Sequence, residues 1–168
     1  DKEHNTDTNP FRLILLAQNE TGYRNLIQLV SRSHLEGFFE RPRIDRELME
    51  LFKEGLVAIL PAKDGEHART LLTQNEKAAR LRLEWYVTTF KDKCFAELLP
   101  PDESGEEARH ALTSALLAHK EGIPLVATRD TYYMNTEDAT ARELVNKIRT
   151  GGSLSRDMEE GAGNLSFL

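Results

Sequence analysis

An aspartate followed by two tyrosines stands just beyond an apolar run in the C-terminal half of the sequence. Residues 123–128 read as a buried strand that begins after Gly122, and Asp130 comes two residues after its end. In parallel α/β folds, ligands and chemistry collect at the carboxyl ends of strands, because side chains there face a crevice rather than the packed core. Asp130 is therefore the first candidate functional residue.

The histidines and the cysteine are interpreted as structural or solvated. His67 follows Gly65-Glu66 at a predicted helix start, where a solvated side chain is favoured over a metal ligand. Cys94 opens a predicted strand and is expected to be a small buried hydrophobe. The other histidines share no ligand spacing and are predicted to face solvent; they are His4, His34, His110 and His119.

A cluster of arginines around Pro42 is the second candidate for binding chemistry. Arg41, Arg43 and Arg46 could contact phosphate, but Asp45 and Glu47 neutralise the cluster, which favours an internal salt-bridge role. On the next long helix, Trp85 and Tyr86 are typical of a core or docking surface rather than of a base-stacking platform.

Composition limits the classes of function. A chain of 168 residues with a net charge of -6 fits one domain without the broad basic face that tight nucleic-acid binding requires. A single cysteine excludes an intramolecular disulfide. No apolar run is long enough to span a membrane, and no segment has the pattern of a signal peptide. We therefore expect a cytoplasmic protein with no membrane partner. Because the chain starts without methionine, we interpret it as a piece of a longer protein.

Four apolar runs of strand length alternate with amphipathic helices. The first strand is expected to be buried on both faces, Thr21 to cap the helix after it, and Asp45 to cap the short helix that follows. The predicted inward residues are Leu71 and Leu72, then Ala79, Leu83, Tyr86 and Val87, then Ala108, Ala111, Leu112, Ala115 and Leu116. The predicted strands are 11–17, 56–60, 94–99 and 123–128, and the predicted helices are 21–34, 45–52, one from 66, 76–90, 104–120 and 137–149.

Four strand–helix units in series predict an α/β fold whose parallel strands are joined by right-handed crossovers. A closed barrel needs about eight strands, so the chain is too short to close one. We divide it into a polar leader at 1–10, a folded region at 11–154 and a Gly-, Ser- and Glu-rich, loosely ordered tail at 155–168.

Four segments, in the same order and spacing, resemble one known family. They are Leu16-Ala-Gln-Asn-Glu-Thr-Gly-Tyr-Arg-Asn-Leu26, His34-Leu-Glu-Gly-Phe-Phe-Glu-Arg-Pro-Arg-Ile-Asp45, Glu54-Gly-Leu-Val-Ala58 and Gly122-Ile-Pro-Leu-Val-Ala-Thr-Arg-Asp-Thr-Tyr-Tyr133. The family is the PHP (polymerase and histidinol phosphatase) domain of bacterial DNA polymerase III alpha subunits. The resemblance runs from about residue 11 to 154 and implies the second half of a distorted (β/α)7 TIM-like barrel.

The resemblance also implies where metal ligands would lie. The family's His-x-His and the ligands of the next strands have no counterpart here. A family loop that often reads Ser-Gly-Cys, with the Cys among the ligands, corresponds to Leu60-Pro61-Ala62, where Ala62 cannot bind a metal. The family's Asn-Asp-x-His corresponds to Arg129-Asp130-Thr131-Tyr132, which has lost the His. Asp130 is the one retained ligand, so an eroded metal site is favoured over a working one.

The expected function is a structural part of a replicative polymerase alpha subunit, inactive as a fragment. Two alternatives stay open, namely a contribution to a metal-dependent 3'–5' exonuclease or pyrophosphatase site and a free-standing interaction module derived from the PHP fold. The resemblance implies zinc or manganese in a complete PHP domain and magnesium for the parent polymerase. The implied partners are the rest of the alpha subunit, its proofreading exonuclease subunit, and DNA through the parent.

Overall fold

The computed structural model describes residues 10–39, 41–100, 105–129 and 132–150. The chain divides into two compact units, residues 1–128 and 129–168. The first contains β1 (Ile14–Ala17), α1 (Glu20–Leu35), α2 (Arg46–Phe52), β2 (Leu56–Leu60), α3 (Glu66–Thr73), α4 (Glu76–Phe90), a 3-10 turn (Lys91–Lys93), β3 (Cys94–Leu98), α5 (Glu106–Lys120) and β4 (Leu125–Ala127), and the second contains α6 (Asp138–Thr150).

Local signals explain where the helices begin and end. Asp45 caps α2 as predicted, accepting a hydrogen bond from the Leu48 amide at 2.8 Å. The prediction for α1 was wrong by two residues, because Asn19 rather than Thr21 is the cap and accepts from the Gly22 amide at 2.9 Å. Gly122 follows the end of α5 with a φ of 85°, a conformation that favours glycine.

The strands form one four-stranded sheet in the order β1-β2-β3-β4. Strands β2, β3 and β4 pair in parallel, as predicted, but β1 pairs antiparallel with β2. Backbone hydrogen bonds flank β1 on both sides and fix this direction. The Arg12 amide donates to the Asp64 carbonyl oxygen, and the Gln18 amide donates to the Gly55 carbonyl oxygen. The parallel prediction failed for β1 because an apolar run carries no information about strand direction. Among the described residues the sheet is open.

The two faces of the sheet differ in their packing. Leu56, Ala58 and Leu60 of β2, with Cys94 and Ala96 of β3, belong to the buried core that also contains residues of α4 and α5. The register places another set of hydrophobic side chains on the opposite face, and none of them belongs to this core cluster. These open-face residues are Ile14, Leu16, Val57, Ile59, Phe95 and Val126.

The open face corrects the prediction that the first strand is buried on both sides. Leu16 of β1 is 51% exposed, whereas Leu15, one residue earlier and on the other face, packs against the core. A continuous apolar run therefore does not require two covered faces, because covering the second face depends on which other elements pack there.

Several predicted inward residues of the helices are exposed. They are Leu72, Val87, Leu112 and Leu116. Small residues replace them, with Ala68 buried on α3 and Ser114 and Ala118 on α5. The helix α3 packs against both α4 and α5. Small side chains at these contacts allow the helix backbones to approach one another closely. No helix in the described part of the chain is long and apolar enough to cross a membrane.

Candidate functional site

The first candidate residue, Asp130, lies outside the residues that the structure describes, so its role as a metal ligand stays a prediction. Tyr132, two residues further along the chain, which the resemblance aligns with a family histidine, is 55% exposed. The Arg142 guanidinium lies 3.4 Å from the centroid of that ring. Within its own unit, Tyr132 is therefore engaged in a cation–π contact.

A glutamate that the sequence analysis missed connects the carboxyl ends of the three parallel strands. Glu97 of β3 is only 9% exposed. Its Oε2 accepts a hydrogen bond from the Ala62 amide, just after β2, at 2.9 Å, and its Oε1 accepts from the Thr128 hydroxyl, just after β4, at 2.7 Å. The available signal was a single charged residue inside the apolar run Cys94-Phe-Ala-Glu-Leu98.

Ala62, which the resemblance aligns with a position that is often a cysteine ligand in the family, is buried here. Ala62 is 1% exposed and its side chain offers no donor atom, while its amide is held by Glu97. Within residues 10–39, 41–100, 105–129 and 132–150, no group of three or more His, Cys, Asp or Glu side chains could hold a metal ion. Whether Asp130 and residues outside the described ranges hold a metal therefore stays a prediction.

His67 is the clearest correction to the sequence analysis, which placed it in solvent. It is 1% exposed on α3, and its Nε2 lies 2.9 Å from the hydroxyl of Ser114 on α5. Burial, with a smaller contribution from the nearby His110, lowers the pKa of His67 to about 4. The first turn of α3 therefore faces α5 rather than water, and the contact with the Ser114 hydroxyl offsets part of the cost of burying the neutral imidazole.

This Ser–His pair is structural rather than catalytic. Ser114 is completely buried, so no substrate can reach its hydroxyl. Among the described residues, the Nδ1 atom of His67 has no hydrogen-bond partner, and a Cβ at Gly65 would come within 3.2 Å of it. His110 also departs from its predicted solvent position, since it is half-buried with its Nε2 sealed from water, whereas His34 and His119 are exposed as predicted.

The salt-bridge interpretation of Arg46 is confirmed, but with a different partner. Its guanidinium binds both carboxylate oxygens of Glu66 at 2.9 and 3.0 Å and lies 4.6 Å from the centroid of the Trp85 ring. The Tyr86 hydroxyl donates to the same carboxylate at 3.1 Å, and burial is the main cause that raises the pKa of this phenol. Arg46, Glu66, Trp85 and Tyr86 therefore join α2, α3 and α4.

An open groove of about 1500 Å³ runs beside this network, between the β1 strand and the starts of α3 and α5. Two of its basic side chains are paired with acidic ones, Arg12 with Asp64 at 3.4 Å and Lys63 with Glu107 at 3.3 Å. Such ion pairs reduce the attraction of the groove for a phosphate backbone. Cys94 is buried as predicted, and burial raises the pKa of its thiol to about 12.

A comparison with protein families identifies the class. The family model of the PHP domain matches residues 2–99. The chain belongs to the PHP domain family, which confirms the resemblance found in the sequence.

The most similar curated relatives include DNA polymerase III alpha subunits. The subunit of Borreliella burgdorferi is 36% identical over 147 residues, which cover 86% of this chain and 13% of the relative. Those of Thermus aquaticus and Haemophilus influenzae are 36% and 31% identical, and each match covers 86% of this chain and 12% of the relative. The chain thus spans only a small part of the relatives' length.

Proposed function

We propose that the chain is part of the PHP domain of a bacterial replicative DNA polymerase alpha subunit and that it serves there as a scaffold. Support comes from the family match over residues 2–99 and from alpha-subunit relatives aligned over 86% of the chain. Nucleotidyl transfer, with its magnesium ions, would reside in parts of the parent outside this chain. The parent would act in the bacterial cytoplasm, and DNA would be bound through those other parts.

The open face of the sheet supports a domain completed by further strands. Leu16 is 51% exposed, and its neighbours on that face also stay outside the core cluster. In a (β/α) barrel this face would point to the interior, where side chains from all strands pack in layers. We infer that the four strands belong to a partial, distorted (β/α)7 TIM-like barrel, with the region 11–154 as the partial domain.

The burial of Ala62 in the loop after β2 is the observation that carries the scaffold proposal. A metal-dependent phosphoesterase needs several donors converging on each ion, at about 2.0–2.2 Å for zinc. Here the cysteine position is a buried alanine whose amide is held by Glu97. Asp130, if it is retained as a ligand, would need partners from elsewhere in the parent.

Metal analysis of the purified chain tests the eroded site. After incubation with zinc or manganese and removal of free metal, the scaffold proposal expects no bound ion by elemental analysis. Asp130→Ala should leave that result unchanged. Stoichiometric metal that disappears in Asp130→Ala would instead support the exonuclease or pyrophosphatase alternative.

The parent protein provides the second test. With a labelled primer and manganese or zinc, the full-length parent and its Asp130→Ala variant should show the same background of 3'–5' trimming if the site is eroded. Trimming that is lost in Asp130→Ala would overturn the scaffold proposal. Co-purification of the parent with its proofreading exonuclease subunit is expected, and its absence would favour the free-standing interaction module.

A further inference from the structure

One exposed side of α1 is apolar, although the described part of the chain leaves it uncovered. Tyr23, Ile27 and Val30 are 60, 46 and 53% exposed. Their steps of four and three residues place them in one line along the helix, because an α-helix has 3.6 residues per turn. We call these three residues the α1 stripe. A line of large apolar side chains at this spacing is the typical contact surface for a second helix.

The other two sides of α1 differ from the stripe. The buried residues of the helix, which hold it against the domain, are Gly22, Leu29 and Ser33. The polar residues that face water on the remaining side include Arg24, Gln28 and Ser31. Gln28 follows Ile27 in the sequence but points about 100° away from it around the helix. One helix therefore carries an apolar exposed side and a polar exposed side, and only the polar one is suited to permanent contact with water.

The place of α1 in the fold limits what can lie against the stripe. Leu29 of α1 belongs to the core cluster on one face of the sheet, together with residues of α2, α4 and α5. These helices form a layer on that face. The helix α1 contacts β1 and β2, and β1 is an edge strand of the four-stranded sheet. The stripe therefore belongs to the helix at the β1 edge of the layer.

The size of the relatives points to a covering element inside the same polypeptide. The alignments cover 86% of this chain but only 12 or 13% of the alpha subunits of Thermus aquaticus and Borreliella burgdorferi. The helix α1 lies within residues 2–99, which match the PHP family. In a (β/α) barrel, each further strand of the sheet brings a helix into the same outer layer.

We propose that the α1 stripe is the docking surface for an amphipathic helix of the parent, namely the helix that accompanies the strand next to β1. The docking helix presents its own line of large apolar side chains, because polar groups buried there would lose water without gaining hydrogen bonds. The side that carries Gln28 stays in water. This inference rests on the proposed membership of the chain in a polymerase alpha subunit.

Cysteine labelling tests the contact in the full-length parent and in this chain alone. Ile27→Cys and its matched control Gln28→Cys are treated with a maleimide, and labelling of the α1 peptide is followed by mass spectrometry. In this chain alone both positions should react at similar rates, because both are exposed. In the parent, Gln28→Cys should keep its rate, whereas Ile27→Cys should react at least about tenfold more slowly, because it must wait for local opening. Equal rates in the parent would overturn the proposal.

Tyr23→Cys provides a second stripe position if Ile27→Cys disturbs the helix. It should be protected in the parent and accessible in this chain alone, just as Ile27→Cys should be. Protection that is already present in this chain alone and that increases with its concentration would assign the stripe to a second copy and overturn the proposal.

Photochemical cross-linking identifies the element that covers the stripe. Ile27→p-benzoylphenylalanine in the parent should cross-link within the same polypeptide, to a segment whose apolar residues recur at three- and four-residue steps. A cross-link to a second polypeptide, such as the proofreading exonuclease subunit, would overturn the proposal, as would a cross-link to a segment without this spacing.

Failure of this inference can be distinguished from failure of the scaffold proposal. Metal binding and primer trimming in Asp130→Ala decide the scaffold proposal, and neither measurement involves the α1 stripe. Rapid labelling of Ile27→Cys, in a parent whose trimming is the same with and without Asp130→Ala, would refute the docking helix alone. Slow labelling in a parent whose trimming is lost in Asp130→Ala would refute the scaffold alone.

Discussion

The hydroxyl of Ser114 lies 2.9 Å from Nε2 of His67, and both side chains are sealed inside the contact between α3 and α5. The pair places a titratable imidazole in the core, where its protonation would leave a charge without a counter-ion. This one contact therefore couples the stability of the domain to pH.

Acid should destabilise the chain through His67. Its pKa falls from 6.5 to about 4 on folding, so the unfolded chain binds a proton that the folded chain does not bind between those values. Stability is therefore full above pH 6.5 and falls as the pH decreases toward 4, by about 3 kcal/mol for this group. Urea unfolding at several pH values measures this slope. His67→Gln should flatten it, whereas the exposed control His119→Gln should not, and equal slopes in all three proteins would contradict the prediction.

Removing the Glu97 carboxylate should loosen the carboxyl ends of the parallel strands. Glu97→Ala leaves the Ala62 amide and the Thr128 hydroxyl without their partner, at a cost of about 2–3 kcal/mol. Glu97→Gln should cost less, because the amide oxygen still accepts one bond and the hydroxyl can reorient. Denaturant midpoints measure both. Glu106→Ala, on the exposed start of α5, is the control, and a Glu97→Ala midpoint close to that of the control would refute the bridging role.

Two glycines should respond differently to alanine. At Gly22 a Cβ would collide with the Gly55 carbonyl oxygen, so Gly22→Ala must push α1 away from the segment before β2. The expected loss is about 3 kcal/mol, the upper end of the usual cost of overpacking. At Gly122 no atom of the described residues lies within 4 Å of the new Cβ, and the φ of 85° is unfavourable by about 1–2 kcal/mol. Thermal unfolding compares them, and equal losses would show that the collision with Gly55 is not the main cause of the loss at Gly22.

Arg46 should control the environment of Trp85, the only tryptophan in the chain. Arg46→Met removes the guanidinium from the indole face and leaves Glu66 with Arg82 at 3.5 Å and the Tyr86 hydroxyl. We expect altered tryptophan emission together with a loss of about 1–2 kcal/mol. Arg24→Met on α1 is the control, because its bridge to Glu20 is exposed and surface pairs contribute little. Unchanged emission in Arg46→Met would exclude the stacking contact.

The predicted elements agree with the structure where local signals are strong. Asp45 as a cap, the strand Leu56–Leu60 and the long helix Glu76–Phe90 all follow from the sequence alone, because capping and periodicity act over a few residues. The PHP family was also identified from the sequence alone, because its motifs occur in the same order and spacing. The domain boundaries and the role of Asp130 remain predictions.

The sequence by itself determined the α/β class and the family, since these depend on residue identity and short-range pattern. Only the tertiary structure decided that His67 is buried against Ser114, that Glu97 ties Ala62 to Thr128, and that β1 runs antiparallel to β2. Each of these contacts joins residues that are far apart in the sequence. Which distant groups meet depends on how helices and strands pack, and no local pattern encodes that choice.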